Sequence, residues 1–231
     1  METTYLARRA TIERYFDRTA ADAWARLTST AKVSGIRATV RAGRDRMRAT
    51  LLGWLPDDLR GLRLLDAGCG TGALAVEAAR RGAEVVAIDL SPTLVQLARE
   101  RVPGELAAAI DFRSGDMLDA SLGEFDHVVG MDSLIHYGQA DMVAALGMLT
   151  ARTRCSIVFT FAPSNPLLAT MIAVGRLFPR RDRAPFIEPI AEDRLRRAIN
   201  ADHAFDRWCY GRGERVSSGF YTSQALELVR P

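Results

Sequence analysis

A glycine loop set between a strand pattern and a helix pattern constrains this chain more than any other feature. The run Leu64-Leu65-Asp66-Ala67-Gly68-Cys69-Gly70-Thr71-Gly72 stands between a short apolar stretch and a helix-patterned segment. Apolar residues over 62–66, bounded by Gly61 and the glycines, suit a strand buried on both faces. The spacing then predicts a helix over 73–81, a strand over 84–89 and a helix opened by Ser91-Pro92 that runs to Arg101. Serine serves as its N-cap and proline occupies its first turn. Further strands are expected over 110–113, 126–131 and 156–161, with a helix over 140–152 between the last two. Such alternation calls for a parallel sheet with right-handed crossovers. The fold class expected is α/β, a Rossmann-like sheet over 61–231.

Residues 1–60 read instead as a helical arm, with apolar spacing over 33–55 closed by Pro56. Its polar face carries Arg37, Arg41, Arg44, Arg46 and Arg48, and a solvated face is the expectation for such a run. Residues 163–189 break the alternation with prolines and an apolar patch, which predicts an inserted lid. A helix over 190–201 and the last strands within 205–229 complete the chain.

Formal net charge is +3, so charge alone makes no case for a nucleic-acid partner. Lys32 is the sole lysine, and arginine carries the rest of the positive charge. Cys69, Cys155 and Cys209 are odd in number and far apart, a pattern of reduced thiols rather than of a disulfide frame or a zinc site. The N-terminus is polar, and the apolar stretch from Leu167 to Val174 falls short of the ~20 residues of a membrane-spanning helix. A cytoplasmic protein is expected.

The glycine spacing is G-x-G-x-G led by an acid, not the G-x-G-x-x-G of dinucleotide folds, and it lacks the lysine and hydroxyl of a phosphate-binding P-loop. An acid at the mouth of the loop repels a pyrophosphate but suits a cationic, amine-bearing ligand such as S-adenosylmethionine. Asp89 ends the next strand, where a carboxylate can accept both ribose hydroxyls. Gly115-Asp116-Met117 follows the third strand and offers an acceptor for the adenine amino group with an apolar side chain against the ring. The donor-binding set expected is Tyr15, Asp66, Gly68, Cys69, Gly70, Gly72, Asp89, Leu90, Asp116, Met117 and Met131.

With these residues the chain resembles the class I methyltransferase superfamily over 61–231. The flanks narrow the resemblance: Tyr15-Phe16-Asp17, the Trp24 region, Asp132-Ser133-Leu134-Ile135-His136-Tyr137, Thr160-Phe161-Ala162-Pro163 and Glu214-Arg215-Val216-Ser217-Ser218-Gly219-Phe220-Tyr221. Along nearly its whole length the chain is similar to the magnesium-protoporphyrin IX O-methyltransferases of bacteriochlorophyll synthesis. The resemblance implies methyl transfer from S-adenosylmethionine to one propionate of magnesium-protoporphyrin IX, with no metal bound by the protein itself. It also implies a partner, the porphyrin-binding subunit of magnesium chelatase. One departure stands out. Family members carry a tyrosine, proposed to act in catalysis, where Thr28 stands, so that role does not carry over.

The chemistry is reasonable for these residues. A propionate has a pKa near about 4.3 and is already an anion at neutral pH, so no general base is required. His136, just past the fourth strand, lies where ligands bind in open α/β folds. It either hydrogen-bonds the propionate, supplies an axial nitrogen to the porphyrin magnesium, or caps the strand as a core histidine. Tyr137 either orients the carboxylate or packs. His127 and His203 are expected to be structural or remote. In the insert, apolar residues from Leu167 to Phe178 suit a macrocycle face, and Arg180, Arg181 and Arg183 suit the second propionate. Two alternatives for that patch are an amphipathic helix packed on the sheet and peripheral contact with the photosynthetic membrane. Rival functions are methylation of another small molecule, such as a quinone precursor, and a non-catalytic S-adenosylmethionine-binding role. A nucleic-acid methyltransferase is disfavoured by Met131-Asp132-Ser133-Leu134 in place of an Asn/Asp-Pro-Pro-aromatic run.

Overall fold

The computed structural model describes residues 2–18, 35–164 and 187–231. Thr28, Trp24, Arg180, Arg181, Arg183 and the apolar insert patch lie outside the described residues. Two helices come first, α1 (Glu2–Arg18) and α2 (Gly35–Gly53). Strands and helices then alternate as β1 (Arg63–Ala67), α3 (Ala73–Arg80), β2 (Glu84–Asp89), α4 (Pro92–Arg101) and β3 (Ile110–Ser114). They continue as β4 (Phe125–Gly130), α5 (Gln139–Thr150), β5 (Thr153–Phe161), α6 (Glu192–Asn200), β6 (Cys209–Ser218) and β7 (Tyr221–Val229).

The seven strands form one sheet in the order β3-β2-β1-β4-β5-β7-β6. The first five are parallel, and β7 runs antiparallel to both β5 and β6. Gly219 (φ 57°) makes that last reversal cheap. It stands first of two residues between the paired Ser218 and Tyr221, the place where a type II′ hairpin turn needs a positive φ.

Both faces of the sheet are covered, which is why the strands read as unbroken apolar runs. Successive residues point to opposite cores. Leu64, Val85, Ala87, Val129 and Val158 pack with Leu51 of α2, Ala75 of α3 and Val95 of α4. Leu65, Val86, Ile88, Val128, Ile157 and Phe159 pack with Leu146 of α5 and Leu195 of α6. Tyr5 and Ile12 of α1 join the second core.

Since β1 leads outward to β2 and β3 while β4 returns on its other side, the order reverses between β1 and β4. Ligands of open α/β sheets bind at that reversal, off the carboxyl ends of the strands. Among the described residues no helix is long and apolar enough to cross a membrane.

Candidate active site

The loop after β1 bends back tightly because Gly68, Gly70 and Gly72 all take positive φ (88°, 53° and 78°). The N–H groups of Gly68 and Cys69 both donate to Ile88 O (2.8 and 2.9 Å), tying the loop to β2. At Gly68 a side chain is excluded outright: a Cβ there would lie 2.3 Å from Ser133 Cβ.

Two carboxylates sit at the base of this loop. Asp66 is 2% exposed, and its Oδ2 accepts from the Ala75 N–H (3.1 Å), one of the free donors in the first turn of α3. The carboxyl therefore meets the loop from a buried position, not from the exposed mouth. Burial pushes its carboxyl up to about 7, the Ala75 amide opposes the rise, and nearby Asp89 adds to it. Asp89 accepts from Gly70 N–H through Oδ2 and from Ser91 N–H through Oδ1, each at 2.9 Å. Burial raises its pKa too, against the pull of those amides. A carboxylate has about four acceptor positions, so Asp89 keeps capacity for a diol. Cys69 is buried, and burial pushes its thiol well up, so it is not a nucleophile. Met117 and Met131 are buried at the ends of β3 and β4, and Leu90 is half-buried.

Helix α1 lies across this edge. Tyr5 O–H donates to Asp116 Oδ1 (2.8 Å), and Arg9 Nη1 pairs with Asp116 Oδ2 (2.9 Å). Leu118 N–H also donates to Asp116 Oδ1 (2.9 Å). At the other end of the helix, Asp17 Oδ1 accepts from Thr93 Oγ1 (2.6 Å), Thr93 N–H (3.2 Å) and Ser91 Oγ (3.3 Å). The helix thus spans from the end of β3 to the start of α4, and half-buried Tyr15 comes with it. Sequence reasoning expected Asp116 at an adenine. The structure adds that α1 already grips this carboxylate.

Past β4 the chain turns through Asp132 (φ 53°) and Ser133 into a short 3-10 helix, Leu134–His136. His136 and Tyr137 are both buried. The Tyr137 ring stacks on Tyr5 with centroids 5.0 Å apart and planes 19° from parallel. Burial pushes the Tyr137 phenol up to about 12, so it stays protonated at neutral pH. The loop is held from two sides. Arg8 Nη1 donates to His136 O (3.1 Å) and pairs with Glu188 Oε1 (2.7 Å), while Glu188 N–H donates to Ile135 O (2.9 Å). His136 and Tyr137 therefore sit just past the carboxyl end of β4, packed under α1. His127 is buried inside β4, its ring bonded to Ser156 Oγ (2.8 Å), and His203 is exposed beside Asp206.

A second constellation leaves no local signal in the sequence. Asp132 pairs with Arg44 of α2 (2.5 Å) and accepts from Tyr221 O–H (3.1 Å) and Ser223 Oγ (3.2 Å) of β7. The expectation of a solvated arginine face holds for exposed Arg37 and Arg46 but fails for Arg44, which is turned to this buried acid. Tyr5, Arg8 and Arg9 were missed as well. Their sole signal, a helix ahead of the sheet, does not say where it docks.

Two family profiles match the chain: a general methyltransferase domain over 64–154, and the C-terminal region of magnesium-protoporphyrin IX methyltransferases over 130–230. The magnesium-protoporphyrin O-methyltransferase of Rhodobacter capsulatus is 50% identical over 98% of this chain and 99% of its own. The chain belongs to the magnesium-protoporphyrin IX O-methyltransferase family. A solved member of that family, from Synechocystis PCC 6803 with S-adenosylhomocysteine bound, superposes with a TM-score of 0.83. It is 27% identical and covers 96% of this chain and all of its own. The same protein with S-adenosylmethionine bound gives a TM-score of 0.77 at 25% identity, covering 97% of each chain. The strand order β3-β2-β1-β4-β5-β7-β6 is that of the class I methyltransferase fold. Among the described residues no group of three or more His, Cys, Asp or Glu is placed to hold a metal ion.

Proposed function

We propose that this chain transfers a methyl group from S-adenosylmethionine to a propionate carboxylate of magnesium-protoporphyrin IX, giving the monomethyl ester of (bacterio)chlorophyll synthesis. The observation that carries this reading is the 50% identity to the Rhodobacter capsulatus enzyme over 98% of this chain and 99% of that one.

When bound, S-adenosylmethionine supplies an electrophilic methyl on a sulfonium. This chain's residues do the rest. Gly68, Gly70 and Gly72 open the cradle, Asp89 accepts from the ribose and Asp116 from the adenine amino group. Tyr15, Leu90, Met117 and Met131 complete its walls. The acceptor oxygen is already an anion, so the work is alignment and exclusion of water. His136 orients the propionate from its fixed turn, and α1 covers the edge. Buried Tyr137 holds α1 through Tyr5 and, with its raised pKa, is not a base for the reaction. Arg180, Arg181 and Arg183 pair with the second propionate in this reading. Delivery by the porphyrin-binding subunit of magnesium chelatase and peripheral contact with the membrane belong to the same proposal, because the acceptor is poorly soluble in water.

The test is incubation of the purified protein with S-adenosylmethionine and either magnesium-protoporphyrin IX or the metal-free porphyrin. Monomethyl ester, identified by mass, is expected from the magnesium form. If the protein binds S-adenosylmethionine and yields no ester from either, the acceptor is wrong.

A further inference from the structure

Asp132 is the sole non-glycine residue with positive φ among the described residues, at 53°. Aspartate tolerates that conformation better than most side chains do, but it still costs free energy unless the surroundings fix it. Here they do. Its carboxylate meets Arg44 of α2, Thr160 Oγ1 of β5 (3.3 Å), and Tyr221 and Ser223 of β7. Its own N–H donates to Thr160 Oγ1 at 2.7 Å. Three elements distant in sequence thus converge on one turn residue.

The result of that turn is the seat of Ser133. Its Cβ fills the space against Gly68, and its Oγ stands near Gly130 at the carboxyl ends of β1 and β4. That hydroxyl is buried and has no hydrogen-bond partner. A buried hydroxyl without a partner costs free energy, and such atoms call for an explanation. The order of the sheet supplies one. Asp116 and Asp89 mark the base and sugar ends of the donor at β3 and β2, so the opposite end of that molecule lies toward β1 and β4. That end is an amino acid, with an ammonium to give a hydrogen bond and a carboxylate to take one. A hydroxyl satisfies either.

We propose that Asp132 is a positioning residue, clamped by Arg44, Thr160, Tyr221 and Ser223 so that Ser133 presents its hydroxyl to the amino-acid tail of S-adenosylmethionine. The proposal rests on the donor site of the reading above and not on its acceptor.

The test compares two ligands on the full chain by calorimetry: S-adenosylhomocysteine, which has the tail, and 5′-methylthioadenosine, which lacks it. Ser133→Ala removes the hydroxyl. Asp132→Gly keeps the φ without strain but removes the clamp. Both are expected to weaken S-adenosylhomocysteine about tenfold, the effect of one lost hydrogen bond to a charged group, and to leave methylthioadenosine unchanged. Tyr221→Phe, which deletes one donor to Asp132 and keeps the ring, is expected to shift only S-adenosylhomocysteine, by about threefold. It carries the comparison should Asp132→Gly fail to fold. Equal weakening of both ligands would mean a merely structural role, and unchanged S-adenosylhomocysteine binding in Ser133→Ala would remove the hydroxyl from the site. Either result overturns the proposal. No acceptor is present in the measurement, so its failure is separable from failure of the acceptor assignment.

Discussion

Gly68→Ala should destabilise the chain by two separable routes. Alanine at φ 88° carries the left-handed penalty of about 1–2 kcal/mol. Its Cβ would also lie 2.3 Å from Ser133 Cβ, a distance that neither backbone can leave unchanged. Forced overpacking of this kind costs about 1–3 kcal/mol, so the single variant should lose about 2–5 kcal/mol in all. Ser133→Gly removes the clashing atom. The nearest remaining neighbour on that side is then Ser133 Cα at 3.5 Å, ordinary van der Waals contact. The double variant Gly68→Ala/Ser133→Gly should therefore recover the overpacking part and retain the φ part, giving a favourable coupling of about 1–3 kcal/mol. Urea unfolding of the four proteins in the absence of ligand measures this, provided their m-values agree. If Gly68→Ala unfolds within about 0.5 kcal/mol of the parent, or if Ser133→Gly fails to rescue it, the packing of this loop is not as described.

Further outcomes follow from the same geometry. Burial pushes the folded Asp66 carboxyl up to about 7, against about 3.9 when unfolded, so between those pH values the folded chain holds a proton that the unfolded chain has released. Stability should fall as pH rises from 4 to 7, by up to about 4 kcal/mol from this group, with half-buried Asp89 acting in the same direction. Asp66→Asn should flatten that slope in urea midpoints taken across the range, and an unchanged slope would acquit Asp66. His136→Ala should lower kcat for the porphyrin about 10- to 100-fold while S-adenosylhomocysteine affinity holds, as expected for one hydrogen bond to a charged acceptor. A kcat within twofold of the parent would demote His136 to packing. Replacing Arg180, Arg181 and Arg183 by alanine should raise the acceptor KM with no change in S-adenosylhomocysteine affinity, and unaltered porphyrin kinetics would exclude all three.

What was legible in the sequence is what is local. The strand periods, the Ser91 cap and the three glycines each depend on neighbours within a few positions, and the structure places them as read: Ser91 Oγ accepts from Leu94 N–H. The Asp132 clamp was illegible for the converse reason. Its partners lie 88, 28, 89 and 91 residues away, and nothing in a run of five arginines tells which one finds a buried acid. Helix α1 is a middle case. Its helicity shows, but only Tyr5 and Ile12 are buried among its described side chains, so there is no apolar stripe to give its docking face. It docks instead through tyrosine, arginine and aspartate, whose partners are set by the tertiary structure.

That division fits the chemistry. A reaction that needs no general base leaves no acid–base pair to find in the sequence, and the barrier must be lowered by alignment and by exclusion of water. Both depend on long-range closure. The chain meets the demand from its two ends by separate routes. From the N-terminal side, α1 grips Asp116 past the end of β3, braces the His136 backbone through Arg8 and reaches α4 through Asp17. From the C-terminal side, β7 reaches Asp132 and sets the turn that delivers Ser133 to the glycine loop. The two routes meet in residues 132–137 and share no side chain among the contacts above. Damage to α1 should therefore open the edge without unseating Ser133, and damage to the hairpin should unseat Ser133 without releasing Asp116.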